Sequence, residues 1–93
     1  MDTQKVRAEI IANGLVQGVG FRWFVHREAV RLGLTGWVTN NADGSVSLVA
    51  QGERSTLEDL VASVRRGPRS SMVRNVTLEW STEEISFKTF DIR

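Results

Sequence analysis

The stretch Gly14-Leu15-Val16-Gln17-Gly18-Val19-Gly20-Phe21-Arg22 joins a strand-like run to a helix-like run. Its three glycines allow positive φ angles and a close approach of the backbone to a ligand. The amides of such a loop point at the same position as the first N–H groups of the following helix, at the positive end of the helix dipole. Arg22 lies in that first turn, where a cation opposes the dipole unless an anion is bound. The stretch predicts a phosphate or carboxylate site containing an arginine; the alternative is a tight turn with a solvated arginine.

Two common nucleotide-binding motifs do not fit this stretch. The dinucleotide fingerprint needs a third glycine where Trp23 stands. A nucleotide P-loop needs a Lys-Ser or Lys-Thr pair after its last glycine, and none follows here. The stretch is therefore neither a dinucleotide fingerprint nor a nucleotide P-loop.

The composition narrows the classes of protein to which the chain can belong. Its 93 residues carry a net charge of +1, which gives no overall field for holding nucleic acid or an anionic membrane. The absence of cysteine excludes a disulfide framework, a thiolate nucleophile and a thiolate metal site. The single histidine excludes a histidine-rich metal site, and counting alone leaves a carboxylate-held magnesium ion open. We expect one soluble domain over residues 1–93.

The beginning of the chain and its longest apolar runs bear on location. Residues 1–5 contain no apolar signal core, and no apolar run approaches the roughly 18 residues of a membrane span. We therefore expect a cytoplasmic protein, with a monomer as the default state.

Hydrophobic periodicity divides the chain into six elements and a tail. An alternating pattern indicates strands, and apolar residues at helical spacing indicate amphipathic helices. The patterns predict strands over 6–15, 34–40, 45–49 and 73–80, helices over 21–32 and 55–66, and a last short strand or extended tail that contains Phe87, Phe90 and Ile92.

Local signals set the expected ends of these elements. Gly33 closes the first helix, residues 41–44 have turn chemistry, and Gly52 ends the third strand. Ser55 and Glu58 have the spacing of a capping box, which places Ser55 at the N-cap of the second helix. Gly67-Pro68 stops that helix.

The order β-α-β-β-α-β is that of the α+β ferredoxin-like sandwich, an antiparallel sheet with two helices on one face. In this topology the first and second strands run in the same direction, with the third strand between them. The glycine loop and the end of the second strand then lie on one edge of the sheet, roughly 9–10 Å apart. Because Asn40 ends the second strand, the side chains of Arg22 and Asn40 can reach one small ligand.

Four segments resemble the signature of the acylphosphatase family. Val16-Gln17-Gly18-Val19-Gly20-Phe21-Arg22 is similar to its glycine loop, and Gly36-Trp37-Val38-Thr39-Asn40 to its second motif. Asp43-Gly44-Ser45-Val46 resembles the hairpin that follows, and Phe90-Asp91-Ile92-Arg93 the C-terminal Phe-x-Ile-Arg. Many relatives carry a basic residue where this chain has Thr39, which bears on the charge at the rim. The resemblance covers nearly the whole chain.

The resemblance implies a small enzyme that hydrolyses the carboxyl-phosphate anhydride of small acyl phosphates. In the family, the arginine binds the phosphoryl group and the asparagine orients the attacking water, roles that fall here on Arg22 and Asn40. The phosphate-binding residues are then Gln17, Gly18, Val19, Gly20, Phe21 and Arg22, with phosphate or sulfate as the expected site anion. No metal or other cofactor is expected, because the carboxylate is a good leaving group.

Two other functions fit parts of the pattern. The first is a non-catalytic module of the same fold that binds phosphate or a phosphorylated partner; such a domain also occurs within larger carbamoyl-transfer maturation factors. The second is an RNA-binding sheet, since a common RNA module shares this element order. That module needs aromatic and basic residues on its third strand, and Ser45-Val46-Ser47-Leu48-Val49 has neither.

The remaining conspicuous residues are expected to have structural roles. We predict that His26 is an ordinary surface histidine and that Trp23, Phe24 and Trp37 serve packing. A group of arginines near the end of the second helix is expected to form a solvated basic rim, since cations suit a helix C-terminus. This group contains Arg65, Arg66, Arg69 and Arg74.

Overall fold

The computed structural model describes residues 5–82 and 86–93. Residues 1–4, in which no signal core is expected, lie outside the described residues. The elements in chain order are β1 (Lys5–Leu15), α1 (Phe21–Arg31), β2 (Thr35–Asn40), β3 (Val46–Glu53), α2 (Arg54–Arg66), β4 (Met72–Ser81) and β5 (Phe90–Ile92). Neither helix combines the length and the apolar character needed to cross a membrane, within the part of the chain that the structure describes.

The strands form one sheet in the order β4-β1-β3-β2-β5. The four longer strands are antiparallel neighbours, as predicted, with β3 between β1 and β2. The predicted ferredoxin-like fold is confirmed, and the short β5 adds one parallel pair, with β2, to the predicted antiparallel sheet. The physical reason is the position of β5, which lies beside β2 at the sheet edge opposite β4, so the last two strands do not form a hairpin.

Both helices pack against the same face of this sheet. Alternate residues of β1 (Ala8, Ile10 and Ala12) are buried in one cluster with residues of α1 and α2, whereas Glu9 and Ile11 between them are exposed. The helices contribute Phe21, Val25, Ala29, Leu57, Leu60, Val61 and Val64 to that cluster. The apolar residues that alternate along β1 and those at helical spacing in α1 and α2 therefore pack in one core. Neither helix covers the opposite face of the sheet.

The start of α2 differs from the predicted capping box. Its N-cap is Glu53, in an extended conformation, and no side chain caps it. The reason is that β3 stays paired through Glu53, opposite Lys5, so the helix begins directly where the strand ends. Ser55 then lies inside the first turn, and Glu58 instead pairs with Arg54 at 3.6 Å.

Gly52 continues β3 rather than ending it. It pairs with Val6 of β1, and a Cβ at this position would collide with the side chain of Leu34. The glycine is thus a packing requirement inside the strand, not a turn. The predicted stop of α2 is confirmed, since the helix ends at Gly67 with a φ of 67°.

At Gly36 the backbone of β2 passes very close to that of β3. Its φ is 143°, and a Cβ there would strike the carbonyl oxygen of Val49. We expect Gly36→Ala to destabilise the protein by about 1–3 kcal/mol, the cost typical of overpacking, because β2 must move away from β3. The measurement is urea-induced unfolding. The matched control is Gly44→Ala, which also replaces a glycine of positive φ (95°) but meets no atom within 4 Å. Equal losses in the two variants would contradict this prediction.

Candidate active site

The loop between β1 and α1 presents free backbone donors to solvent. Gly18 and Gly20 have φ angles of 72° and 77°, and Gly20 is the left-handed N-cap of α1. No side chain caps this helix and no acidic residue lies in its first turn. The first intrahelical bond donates from the Phe24 amide to the Gly20 carbonyl oxygen at 3.0 Å, so the preceding amides are available to an anion.

A pocket of about 210 Å³ opens at this helix end. It is lined by Val16, Gly18, Gly20, Phe21, Arg22, Trp23 and Asn40. The fold therefore brings Arg22 and Asn40 to one cavity, although 18 residues separate them in sequence. Arg22 is the only charged residue among the described residues of this lining, so the pocket is positive and suits a small anion.

Two predicted loop residues, Gln17 and Val19, do not line the pocket. The Nε2 of Gln17 donates to the carbonyl oxygens of Asn41 at 2.7 Å and Ser45 at 2.9 Å. The carbonyl oxygen of Val19 accepts a hydrogen bond from Ser70 Oγ at 2.9 Å. Both residues fix the loop to neighbouring segments, which leaves its conformation defined without a ligand.

Arg22 is oriented by the C-terminal segment of the chain. Its Nη1 donates to the backbone oxygen of Arg93 at 2.9 Å. Arg93 is held in turn, because its amide donates to the Val38 carbonyl oxygen at 2.8 Å and its guanidinium lies 4.9 Å from the centre of the Trp37 ring. Sequence reasoning identified the tail only as a family resemblance and missed this contact, for which the parallel addition of β5 to β2 is responsible.

Asn40 ends β2 with an exposed side chain beside a well-braced turn. Residue Asn41 donates its amide to the Ser45 carbonyl oxygen at 2.8 Å, and its Nδ2 to Ser47 Oγ at 2.6 Å. The Oδ1 of Asp43 accepts from the Ser45 hydroxyl at 2.6 Å and from the Ser45 amide at 2.9 Å. These two bonds, that of the hydroxyl first, hold the pKa of Asp43 below its ordinary value. Because these bonds brace the turn, the backbone position from which the Asn40 side chain projects is well defined.

Three aromatic or imidazole residues near the pocket have different surroundings. Trp23 is 70% exposed on the pocket rim, so the prediction that it serves packing is wrong. Its position on α1 faces away from the buried stripe of Phe21, Val25 and Ala29, and the helical spacing of the sequence already carried that signal. His26 is half-buried between the rings of Trp23 (5.9 Å) and Phe90 (6.2 Å) and does not line the pocket. Phe24 packs against the core, as predicted.

Metal-binding groups are the remaining feature of the site chemistry. Among residues 5–82 and 86–93, no cluster of three or more His, Asp or Glu side chains is arranged to hold an ion. The charge available at the pocket comes from Arg22 and the backbone amides.

Comparisons with known proteins agree with this geometry. The family model described as Acylphosphatase matches residues 8–92. The chain is 48% identical over 91 residues to an acylphosphatase of Koribacter versatilis (strain Ellin345), with 98% of this chain and 82% of that protein covered. The crystal structure of acylphosphatase from Bacillus subtilis superposes with a TM-score of 0.93 at 38% identity, covering 95% of this chain and 98% of that one. Full-length HypF in its phosphate- and nucleotide-bound form superposes with a TM-score of 0.91 at 29% identity, covering 100% of this chain and 12% of HypF.

Proposed function

The chain belongs to the acylphosphatase family, enzymes that hydrolyse acyl phosphates, and from that premise we propose that the 15–21 loop, Arg22 and Asn40 form its active site. The observation that supports this most is that Arg22 and Asn40 line one pocket with the loop glycines. The reaction consumes an acyl phosphate and water and releases a carboxylate and inorganic phosphate.

The first role is to hold the phosphoryl group. In its transfer, negative charge spreads over three equatorial oxygens while the attacking and leaving oxygens lie in line. The loop amides and the helix N-terminus supply donors for those oxygens without reorganisation. The planar fork of Arg22 binds two oxygens at once, and its bond to Arg93 keeps that fork facing the pocket.

The second role is to position the attacking water. The Asn40 side chain has no pKa that suits a general base, but its carbonyl oxygen accepts from a water and its amide donates to one. It therefore orients the nucleophile towards phosphorus rather than deprotonating it. The bound phosphate takes up the proton of the water.

We propose that this chemistry needs no metal ion. The leaving carboxylate is stable as an anion, and the positive charge that a metal would supply at the phosphoryl oxygens comes from Arg22 and the amides. We further propose a cytoplasmic monomer whose pocket holds phosphate or sulfate when substrate is absent.

A second candidate is a phosphate-binding module without activity, for which the likeness to a part of HypF is the supporting observation. The matches to acylphosphatases of similar length favour the enzyme. The two candidates differ in one readout, since the module binds phosphate and leaves acyl phosphates intact.

Hydrolysis in water enriched in oxygen-18 tests the proposed course of the reaction. Attack of water at phosphorus places one labelled oxygen in phosphate, whereas attack at the acyl carbon places it in the carboxylate. With benzoyl phosphate as substrate we expect the label in phosphate and unlabelled benzoate, measured by mass spectrometry after subtraction of an enzyme-free blank. Label in benzoate would contradict the assignment of Asn40 as the group that aims water at phosphorus.

A further inference from the structure

A second concave surface lies beside the proposed active site, and the proposed reaction has no use for its positive charge. It is a groove of about 560 Å³. Its floor is formed by Phe24 and Pro68, and three exposed arginines, Arg27, Arg66 and Arg69, stand around it. We call this surface the arginine groove. No carboxylate is found among the described residues that line it.

The three arginines form no ion pair within the part of the chain that the structure describes. The ion pairs found among residues 5–82 and 86–93 do not include Arg27, Arg66 or Arg69. The nearby carboxylate of Glu28 is already bound to Arg31 at 2.9 Å, and this bond is the main reason that its pKa is lowered. Arg66 is close enough to Glu28 to help lower the pKa of that carboxyl, whereas Arg27 and Arg69 form no ion pair with any described residue. An anion in the groove would therefore meet an excess of positive charge.

The groove is joined to the phosphate loop through covalent and hydrogen-bonded contacts. Ser70, next to Arg69, donates to the carbonyl oxygen of Val19 within the loop. Phe24 follows the pocket residue Trp23 directly along α1. Arg27 lies seven residues after Gly20, roughly 10 Å along the helix, and helical side chains lean back towards the N-terminus and thus towards the pocket.

We propose that the arginine groove binds a second anionic group, a carboxylate or phosphate carried by the acyl part of the substrate. This inference rests on the proposed function and names its preferred substrates: acyl phosphates that are anionic at both ends. In this proposal the exposed ring of Trp23, which lines the pocket and precedes the groove residue Phe24 along α1, supports the acyl body, while Arg27 and Arg69 meet the distal charge.

Two substrates that differ only in charge test this. They are 4-carboxybenzoyl phosphate and its neutral counterpart 4-carbamoylbenzoyl phosphate. At low ionic strength the wild type should favour the carboxylate in kcat/KM by about 5- to 10-fold, the effect expected when two or three exposed arginines each act as in a surface ion pair. The preference should shrink towards one in high salt, because exposed charges are screened.

Variants test whether the arginine groove causes the preference for the carboxylated substrate. Arg27→Gln combined with Arg69→Gln should bring the ratio close to one and leave the rate on benzoyl phosphate within about 2-fold of wild type. The matched control is Arg65→Gln, which removes an exposed arginine of α2 that lies outside the groove. A wild-type ratio of one, or an equal loss of preference in the control, would overturn the proposal.

A binding measurement tests the second anion site independently of the proposed enzymatic function. The non-hydrolysable pair 4-carboxybenzylphosphonate and 4-carbamoylbenzylphosphonate is titrated by calorimetry against the same three proteins. Tighter binding of the carboxylated ligand that is lost only in the groove variant supports the second anion site even if the protein hydrolyses no acyl phosphate. Equal binding of the two ligands to the wild type overturns the site even if benzoyl phosphate is hydrolysed rapidly.

Discussion

Replacement of Arg22 by alanine is expected to lower kcat/KM for benzoyl phosphate by at least about 10²–10³, the cost of deleting one preorganised donor from a transition-state site. The loss should exceed that of a neutral donor, because Arg22 is the only charged residue among the described residues that line the pocket. Inhibition by inorganic phosphate should weaken as well, since the same fork holds the product. Initial rates and phosphate inhibition constants measure both effects.

Two further variants sharpen the Arg22 experiment. Arg22→Lys keeps the charge but not the planar fork, so it should recover only part of the loss. Arg65→Ala removes an exposed arginine outside the pocket and should leave the rate unchanged. Near-wild-type activity in Arg22→Ala would remove the phosphoryl-binding role from this residue.

Replacement of Asn40 by alanine is expected to lower kcat by a comparable factor, about 10²–10³, with little change in phosphate inhibition. We expect kcat to fall without a matching change in phosphate inhibition, because a residue that orients water contributes to the reaction and not to phosphate binding. The fold should be unaffected, because the Asn40 side chain is exposed and the turn beside it is braced by Asn41 and Asp43.

The control for Asn40 is Asn75→Ala, an exposed asparagine on β4 that lies outside the pocket. Full activity is expected there. An Asn40→Ala variant that keeps its kcat, or that loses phosphate binding in proportion to rate, would contradict the positioning role.

The fold could be predicted wherever the burial of one face of an element gives its apolar residues a regular spacing in the sequence. The alternation in β1 and the helical spacing of Phe21, Val25 and Ala29 identify the faces that pack in the core. The elements and their order could therefore be predicted. The strand order then placed Arg22 and Asn40 at one edge of the sheet, because β3 has to lie between β1 and β2. The structure places both residues in one pocket.

What escaped prediction depends on contacts between segments distant in sequence. The capping pattern at Ser55 is a local signal, and it was overridden by the pairing of Glu53 with Lys5 in the sheet. The Gln17 side chain and the backbone of Arg93 have no sequence pattern that predicts their partners, since each bond joins segments that only the completed sheet brings together. Because every residue has a backbone carbonyl oxygen, a bond to this acceptor does not require a particular residue type, and the sequence gives no signal for it.

The most direct test of the central claim is the initial rate of benzoyl phosphate hydrolysis by the wild-type protein with a chelator present, and with Asn40→Ala measured in parallel to reveal any contaminating phosphatase. The account predicts rapid release of phosphate and benzoate that the chelator does not slow and that the variant almost abolishes. A wild-type rate no greater than the spontaneous one, or a rate that the chelator abolishes, would contradict hydrolysis by the loop, Arg22 and Asn40 alone.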